Sequence, residues 1–109
     1  MVIVRIVLEV LPAKRLEVVQ TVLSLTERMT METGCRNYST YCDLSEGNMV
    51  SVFEEWDNRD VLDRHLTSAV FSIFLGLRSL LSKPHCIQVY SVLKVERLPG
   101  VDGIREEAV

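Results

Sequence analysis

Across Val2–Val10, apolar residues occupy both parities, and no other feature constrains the fold more. Val2, Val4, Ile6 and Leu8 share one face; Ile3 and Val7 share the other. Side chains alternate across a strand, so this strand needs cover on both sides. Arg5 interrupts the second face. It reads either as a sheet-edge or salt-bridged arginine, or as a cation in a cavity.

The rest of the chain supplies cover for one face. Pro12 suits the start of a helix, and Leu16, Val19, Val22, Leu23, Thr26 and Met29 form a stripe at helical spacing. This predicts a helix over Ala13–Glu32, with Gly34 as the left-handed residue after it. Cys35–Leu44 follows as a strand whose faces are both only weakly apolar. Ser45-Glu46-Gly47-Asn48 turns it into Met49–Trp56 as a hairpin. Asp57 or Asn58 can cap a helix over Asn58–Thr67, and Ser68 can cap a third helical piece. Val70, Ile73, Phe74, Leu77, Leu80 and Leu81 form the apolar face of that piece, and Lys83-Pro84 ends it. His85–Leu98 reads as a long last strand that Pro99-Gly100 terminates.

The order is strand, helix, strand, strand, helix, strand. That is an α+β, ferredoxin-like pattern with an antiparallel sheet and both helical segments on one face. We expect one domain over residues 1–98 and a loosely held tail over 99–109. The second face of the sheet is left without cover. The last strand also places Tyr90 and Val92 opposite Ile87, Val89, Leu93 and Val95. A monomer would leave a broad apolar surface in water. A two-fold homodimer with sheets packed face to face removes it, and the long last strand can add to the partner's edge.

Composition narrows the function classes. The net charge of −3 comes with no basic run, which favours neither nucleic acid nor an anionic membrane. The apolar runs are too short or too broken to span a bilayer. Met1–Val10 carries Arg5 and Glu9 and lacks a small-residue cleavage site, so it reads as structure in a cytoplasmic protein. The three cysteines include no Cys-x-x-Cys and no zinc spacing. Cys35 and Cys42 lie at opposite parity on one strand, hence on opposite faces. They read as reduced, partly buried thiols.

The candidate site lies in Phe53–Phe71, which holds the single tryptophan and one of two histidines. Trp56 is either a core or interface aromatic, or a flat wall for a planar substrate. His65 falls on the apolar side of its helix with Val61, Leu62 and Leu66. An imidazole there is either a hydrogen-bonded core residue or a base that takes a phenolic proton near neutral pH. Glu54 shares the face of Trp56, and a carboxylate there needs a partner or a function. Its expected role is to orient His65 or to pair with an arginine. Tyr38 is a packed strand aromatic or a donor to a substrate oxygen. His85 reads as a surface residue.

Three pieces of the chain resemble the antibiotic biosynthesis monooxygenase family of the dimeric α+β barrel superfamily. They are Gly34-Cys35-x-x-Tyr38, Phe53-Glu54-Glu55-Trp56 and His65-Leu66-x-Ser68-x-x-Phe71, in that order within a resemblance running from about Val2 to Val95. The superfamily includes cofactor-free oxygenases of polycyclic phenols, haem-degrading enzymes and enzymes of small sugar-derived signals. The haem-degrading branch places an asparagine on the first strand, and this chain has none between Met1 and Leu11. The polyketide oxygenases place one four residues before the tryptophan, where this chain has Val52. The resemblance implies a homodimer and a cofactor-independent monooxygenase acting on a small phenolic, quinol or enolic compound. That chemistry needs no metal or flavin, only a base, a dry aromatic cavity and orientation, which His65, Trp56 and Tyr38 would supply, with Glu54 beside them. The alternatives are a non-catalytic small-molecule or haem-binding module, an isomerase-type enzyme of the same superfamily, and an assembly protein using only the dimer interface.

Overall fold

A computed structural model describes residues 1–99. Four strands form one antiparallel sheet: β1 (Val2–Glu9), β2 (Cys35–Cys42), β3 (Met49–Trp56) and β4 (Cys86–Ser91), in the order β2-β3-β1-β4. Two helical segments lie between them. The first is α1 (Arg15–Ser24) and α2 (Thr26–Thr30); the second is α3 (Arg59–Leu66) and α4 (Ala69–Gly76). This is the α+β, ferredoxin-like arrangement the element order implies.

The core lies between helices and sheet. Val2, Val4, Ile6 and Leu8 of β1 are buried, as are Val50, Val52, Glu54 and Trp56 of β3. Val18, Val22, Leu25, Met29, Leu62, Val70, Phe74 and Leu77 close over them. The other face of β1 is not fully covered by the described residues: Ile3 and Val7 are half-buried and Arg5 is exposed. Since β1 is an interior strand, Arg5 is not at a sheet edge. It forms no ion pair among the described residues.

In the first helical segment Val18, Val22, Leu25 and Met29 face the core, while Leu16 and Leu23 of the expected stripe are exposed. Four further details depart from the sequence reading. The expected helix Ala13–Glu32 is broken at Leu25 and begins as a short 3-10 turn at Pro12–Lys14. The Ser24 hydroxyl donates to the Thr21 carbonyl, the acceptor that the Leu25 N–H would use in a straight helix. Leu25 bonds to the Val22 carbonyl instead, which tightens the turn.

The second departure is a bulge in β2 between Cys35 and Asn37. The extra residue, Arg36, shifts the parity. Cys35 pairs with Trp56, Tyr38 with Glu54 and Cys42 with Val50, so Cys35 and Cys42 lie on the same face at opposite ends of the strand. Both are free thiols, as is Cys86; only Cys35 is partly buried. Burial and the nearby Glu54 carboxyl push the Cys35 thiol up to about 11.

Third, the last strand ends at Ser91 rather than Leu98. Its partner β1 begins at Val2, which pairs with Ser91, and one further bond joins the Val92 N–H to the Met1 carbonyl. Among the described residues no strand pairing continues past that bond. Leu93, Val95 and Leu98 are exposed in consequence. Fourth, His85 is not a surface residue: it is half-buried, with Nε2 2.6 Å from the Phe74 carbonyl. Apart from Pro99, the expected tail, 99–109, lies outside the described residues.

Candidate functional site

The hairpin and α3 meet at Gly34. Its φ of +84° suits a residue without Cβ, and a Cβ there would approach the Val61 side chain to 2.7 Å. Its carbonyl accepts the Asp57 N–H, which ties the end of α2 to the end of β3. Asn58, rather than Asp57, then caps α3 by accepting the Val61 N–H. Leu62 and His65, three residues apart, face the sheet; both are buried. Ser68 caps α4 by accepting the Phe71 N–H, and this turn sets Phe71 edge-on to His65 at 5.6 Å. The short motif from His65 to Phe71 is thus one packed unit.

Trp56, Glu54 and His65 come together. The indole N–H donates to Glu54 Oε1 at 3.0 Å. The imidazole lies 4.6 Å from the indole, tilted 30°. His65 Nε2 is 3.8 Å from Glu54 Oε1, too far for a hydrogen bond. Among the described residues Glu54 Oε2 and His65 Nε2 have no hydrogen-bond partner, although both are buried. Such atoms cost stability, and here two of them lie inside an otherwise apolar core.

Tyr38 is beside this group but not part of it. It pairs with Glu54 across the sheet, while its hydroxyl donates to the Val22 carbonyl at 2.9 Å. Burial and the Glu54 carboxyl raise its phenol well above the usual range. In this structure its proton is therefore committed to the backbone.

Sequence reasoning missed Glu32. It follows α2 and places Oε1 and Oε2 at 3.0 and 3.1 Å from His65 Nδ1. A signal was present. An acidic residue at the C-terminal end of a helix opposes the helix dipole, so Glu32 ending a predicted helix was a local conflict calling for a partner. Outside this pair, a cleft of about 140 Å³ is lined by Glu32, Thr33, Val61, Arg64 and His65. Trp56 and Glu54 lie behind it, enclosed. Among the described residues, no group of three or more His, Cys, Asp and Glu side chains is placed to hold a metal ion. The two carboxylates address opposite nitrogens of His65. A second cleft of about 160 Å³, lined by residues such as Val19, Val22 and Tyr41, is apolar and sits at the far end of β2.

The Glu54 carboxyl is raised above its ordinary 4.5, mainly because burial disfavours the charge. The Trp56 N–H and His65 partly offset this, and Glu32 adds to it. Above 4.5 the folded state holds a proton that the unfolded chain has released, so stability falls as pH rises through that window. Glu54→Gln keeps an acceptor for Trp56 and removes the titration. We expect its melting temperature to change less than that of the parent between pH 5 and 8, with the variant gaining at the alkaline end. Parallel melting curves across that range would remove Glu54 as the source.

Comparison with known proteins gives a consistent picture. The family model for antibiotic biosynthesis monooxygenase matches residues 1–76. An uncharacterized protein of Synechocystis sp., sll1783, is 34% identical over 92 residues, which span 84% of this chain and 63% of that relative. The chain therefore spans less than two thirds of the length of that curated relative. A conserved protein from Methanosarcina mazei has a solved structure that is 33% identical, covering 83% of this chain and 92% of that one, with a TM-score of 0.73. A Deinococcus radiodurans crystal structure reaches a TM-score of 0.82 at 23% identity, covering 90% and 98% of the two chains.

Proposed function

The chain belongs to the antibiotic biosynthesis monooxygenase family, and from that premise we propose that it is a cofactor-independent monooxygenase of a small phenolic, quinol or enolic compound. The observation that supports this reading is that His65 Nε2, 3.8 Å from Glu54 Oε1, and Glu54 Oε2 are both buried and have no hydrogen-bond partner among the described residues. An imidazole lone pair accepts a hydroxyl proton, and burial disfavours the charged form of the Glu54 carboxyl beside it. One substrate hydroxyl placed between them would satisfy both.

In this reading His65 takes the phenolic or enolic proton. The carbanionic form of the substrate passes one electron to dioxygen, and the substrate radical and superoxide combine into a C–O bond. The peroxide takes back a proton and loses water, so a CH₂ group and O₂ become C=O and H₂O. Trp56 holds Glu54 through its N–H and His65 through ring contact. The atoms are enclosed, so a substrate enters only when the side chains over them part. That enclosure also favours a second reading, a small-molecule module without chemistry.

Homodimerisation and a cytoplasmic location belong to the same proposal. Among the described residues, no helix is long and apolar enough to cross a membrane. Oxygen uptake with a panel of anthrones and hydroquinones tests the reaction. His65→Ala is expected to lose about 10²–10⁴-fold in turnover, the usual contribution of a general base. Near-full turnover in that variant would remove His65 as the base. Tight haem binding with a Soret band, and no uptake, would favour the binding module.

A further inference from the structure

Glu32 addresses His65 from the side that the proposed reaction leaves unused. Both carboxylate oxygens lie against Nδ1, at 3.0 and 3.1 Å, closer than the Ser68 hydroxyl at 3.4 Å from the same nitrogen. A carboxylate has no proton to give, so the hydrogen in this contact belongs to Nδ1. A neutral imidazole carries only one such proton. Its other nitrogen, Nε2, is then a bare lone pair, which is consistent with Nε2 being buried and unpartnered. The ring has little freedom to turn over. Trp56 lies against it at 4.6 Å, Phe71 meets it edge-on at 5.6 Å, and a flip would put a C–H where Glu32 now accepts.

We propose that Glu32 is a positioning residue, which fixes His65 as the Nδ1–H tautomer and so aims the Nε2 lone pair at the enclosed side that Glu54 occupies. Its catalytic consequence rests on the reading of His65 as the base; the tautomer assignment does not. When Nε2 takes a proton from a substrate hydroxyl, the ring becomes an imidazolium. The Glu32 carboxylate then faces a charged N–H donor, which strengthens the contact at the moment the base is loaded. The proton later returns from Nε2 to the departing peroxide oxygen, so Glu32 holds the ring but neither gains nor loses a proton. The partly exposed Glu32, whose side chain is 24% accessible against 1% for His65, joins this inner base to the surface cleft.

Nitrogen-15 multiple-bond correlation spectra at pH 7 test this directly, because the protein has two histidines and His65→Ala identifies the signals of one. The parent protein is expected to show the proton on Nδ1 of His65. Glu32→Gln keeps an acceptor oxygen and should preserve that tautomer. Glu32→Ala should shift His65 toward the Nε2–H form, whereas Glu32→Gln, which keeps an acceptor for the Nδ1–H, should melt close to the parent. A parent spectrum with the proton on Nε2 or on both nitrogens overturns the assignment. So does an unchanged tautomer in Glu32→Ala.

With anthrone as the probe, Glu32→Ala is expected to lose about 10–100-fold in kcat with KM unchanged, less than the roughly 10⁴-fold that a wrong tautomer can cost, since water can replace part of the contact. Glu32→Gln should recover much of it. A tautomer shift without oxygen uptake in any form would uphold Glu32 and discard the reaction. Uptake lost in His65→Ala but untouched in Glu32→Ala, with the same tautomer, would uphold the reaction and discard Glu32.

Discussion

Trp56→Ala is expected to destabilise the protein by about 3–5 kcal/mol, the range for truncating a buried large aromatic. Trp56 is fully buried at the end of β3, so the site cannot rehydrate without opening the core. The loss has two separable parts. One is the cavity and the contacts given up to His65. The other is the hydrogen bond to Glu54 Oε1, whose removal leaves that carboxyl with no described donor, since Oε2 already lacks one. Trp56→Phe isolates the second part, because it keeps an aromatic ring and removes the N–H. We expect it to cost about 1–3 kcal/mol, the penalty for a buried polar atom left unmade. In a domain of this size each kcal/mol moves the melting temperature by about 4–8 °C, so the two variants are resolved easily. The order parent, Phe, Ala in thermal melting checks the prediction. A Trp56→Ala protein melting within a few degrees of the parent would show that Trp56 does not hold Glu54 and His65 in place. These melts also precede any kinetic use of Trp56 variants, because a partly unfolded enzyme mimics a lost substrate contact.

The elements were legible because local signals agreed with one another. Alternation in β1 and β3, the caps Asn58 and Ser68, and Gly34 after the first helical segment each specify their local conformation independently of the rest. The meeting of Trp56, Glu54 and His65 was legible too, since a strand face and a helix face can be read from period alone. What was not legible depends on side chains that change the period. The Ser24 hydroxyl breaks a helix whose apolar stripe runs on past it. The bulge at Arg36 reverses strand parity, and so reverses the conclusion about Cys35 and Cys42. Glu32 is distant from His65 in sequence and comes near it only through the Gly34 turn. The Tyr38 hydroxyl depends on a backbone carbonyl of α1, which no pattern of side chains encodes. The end of β4 depends on where its partner strand begins.

That last point bears on assembly. We expect sedimentation equilibrium at micromolar concentration to give about twice the 12.4 kDa of one chain. All of β4 is exposed, including Ile87 and Val89, which share the face that the helices cover elsewhere. On the open side Ile3, Val7 and Phe53 are half-buried beside the exposed Tyr90. Past Ser91 the chain continues with Leu93, Val95 and Leu98 in water, and Leu93 is fully exposed. An apolar sheet face, an uncovered edge strand and an apolar extension adjoin one another. Water tolerates scattered apolar residues, but not a continuous surface of this kind in a monomer. A second copy related by a two-fold axis offers an identical open face to pack on the first, and its sheet edge offers the extension a place to pair. Arg5 and Glu55 lie on this face, two registers apart on neighbouring strands, so a rotated copy can pair them across the interface. Phe53→Asp puts a charge at the centre of the face, between Arg5 of β1 and Ser39 of β2, without touching the core side. It is expected to shift the mass toward one chain while leaving the fold cooperative in melting. A parent protein that stays folded at the mass of one chain would sink the prediction, and with it the reading of the apolar second face of β1 as buried.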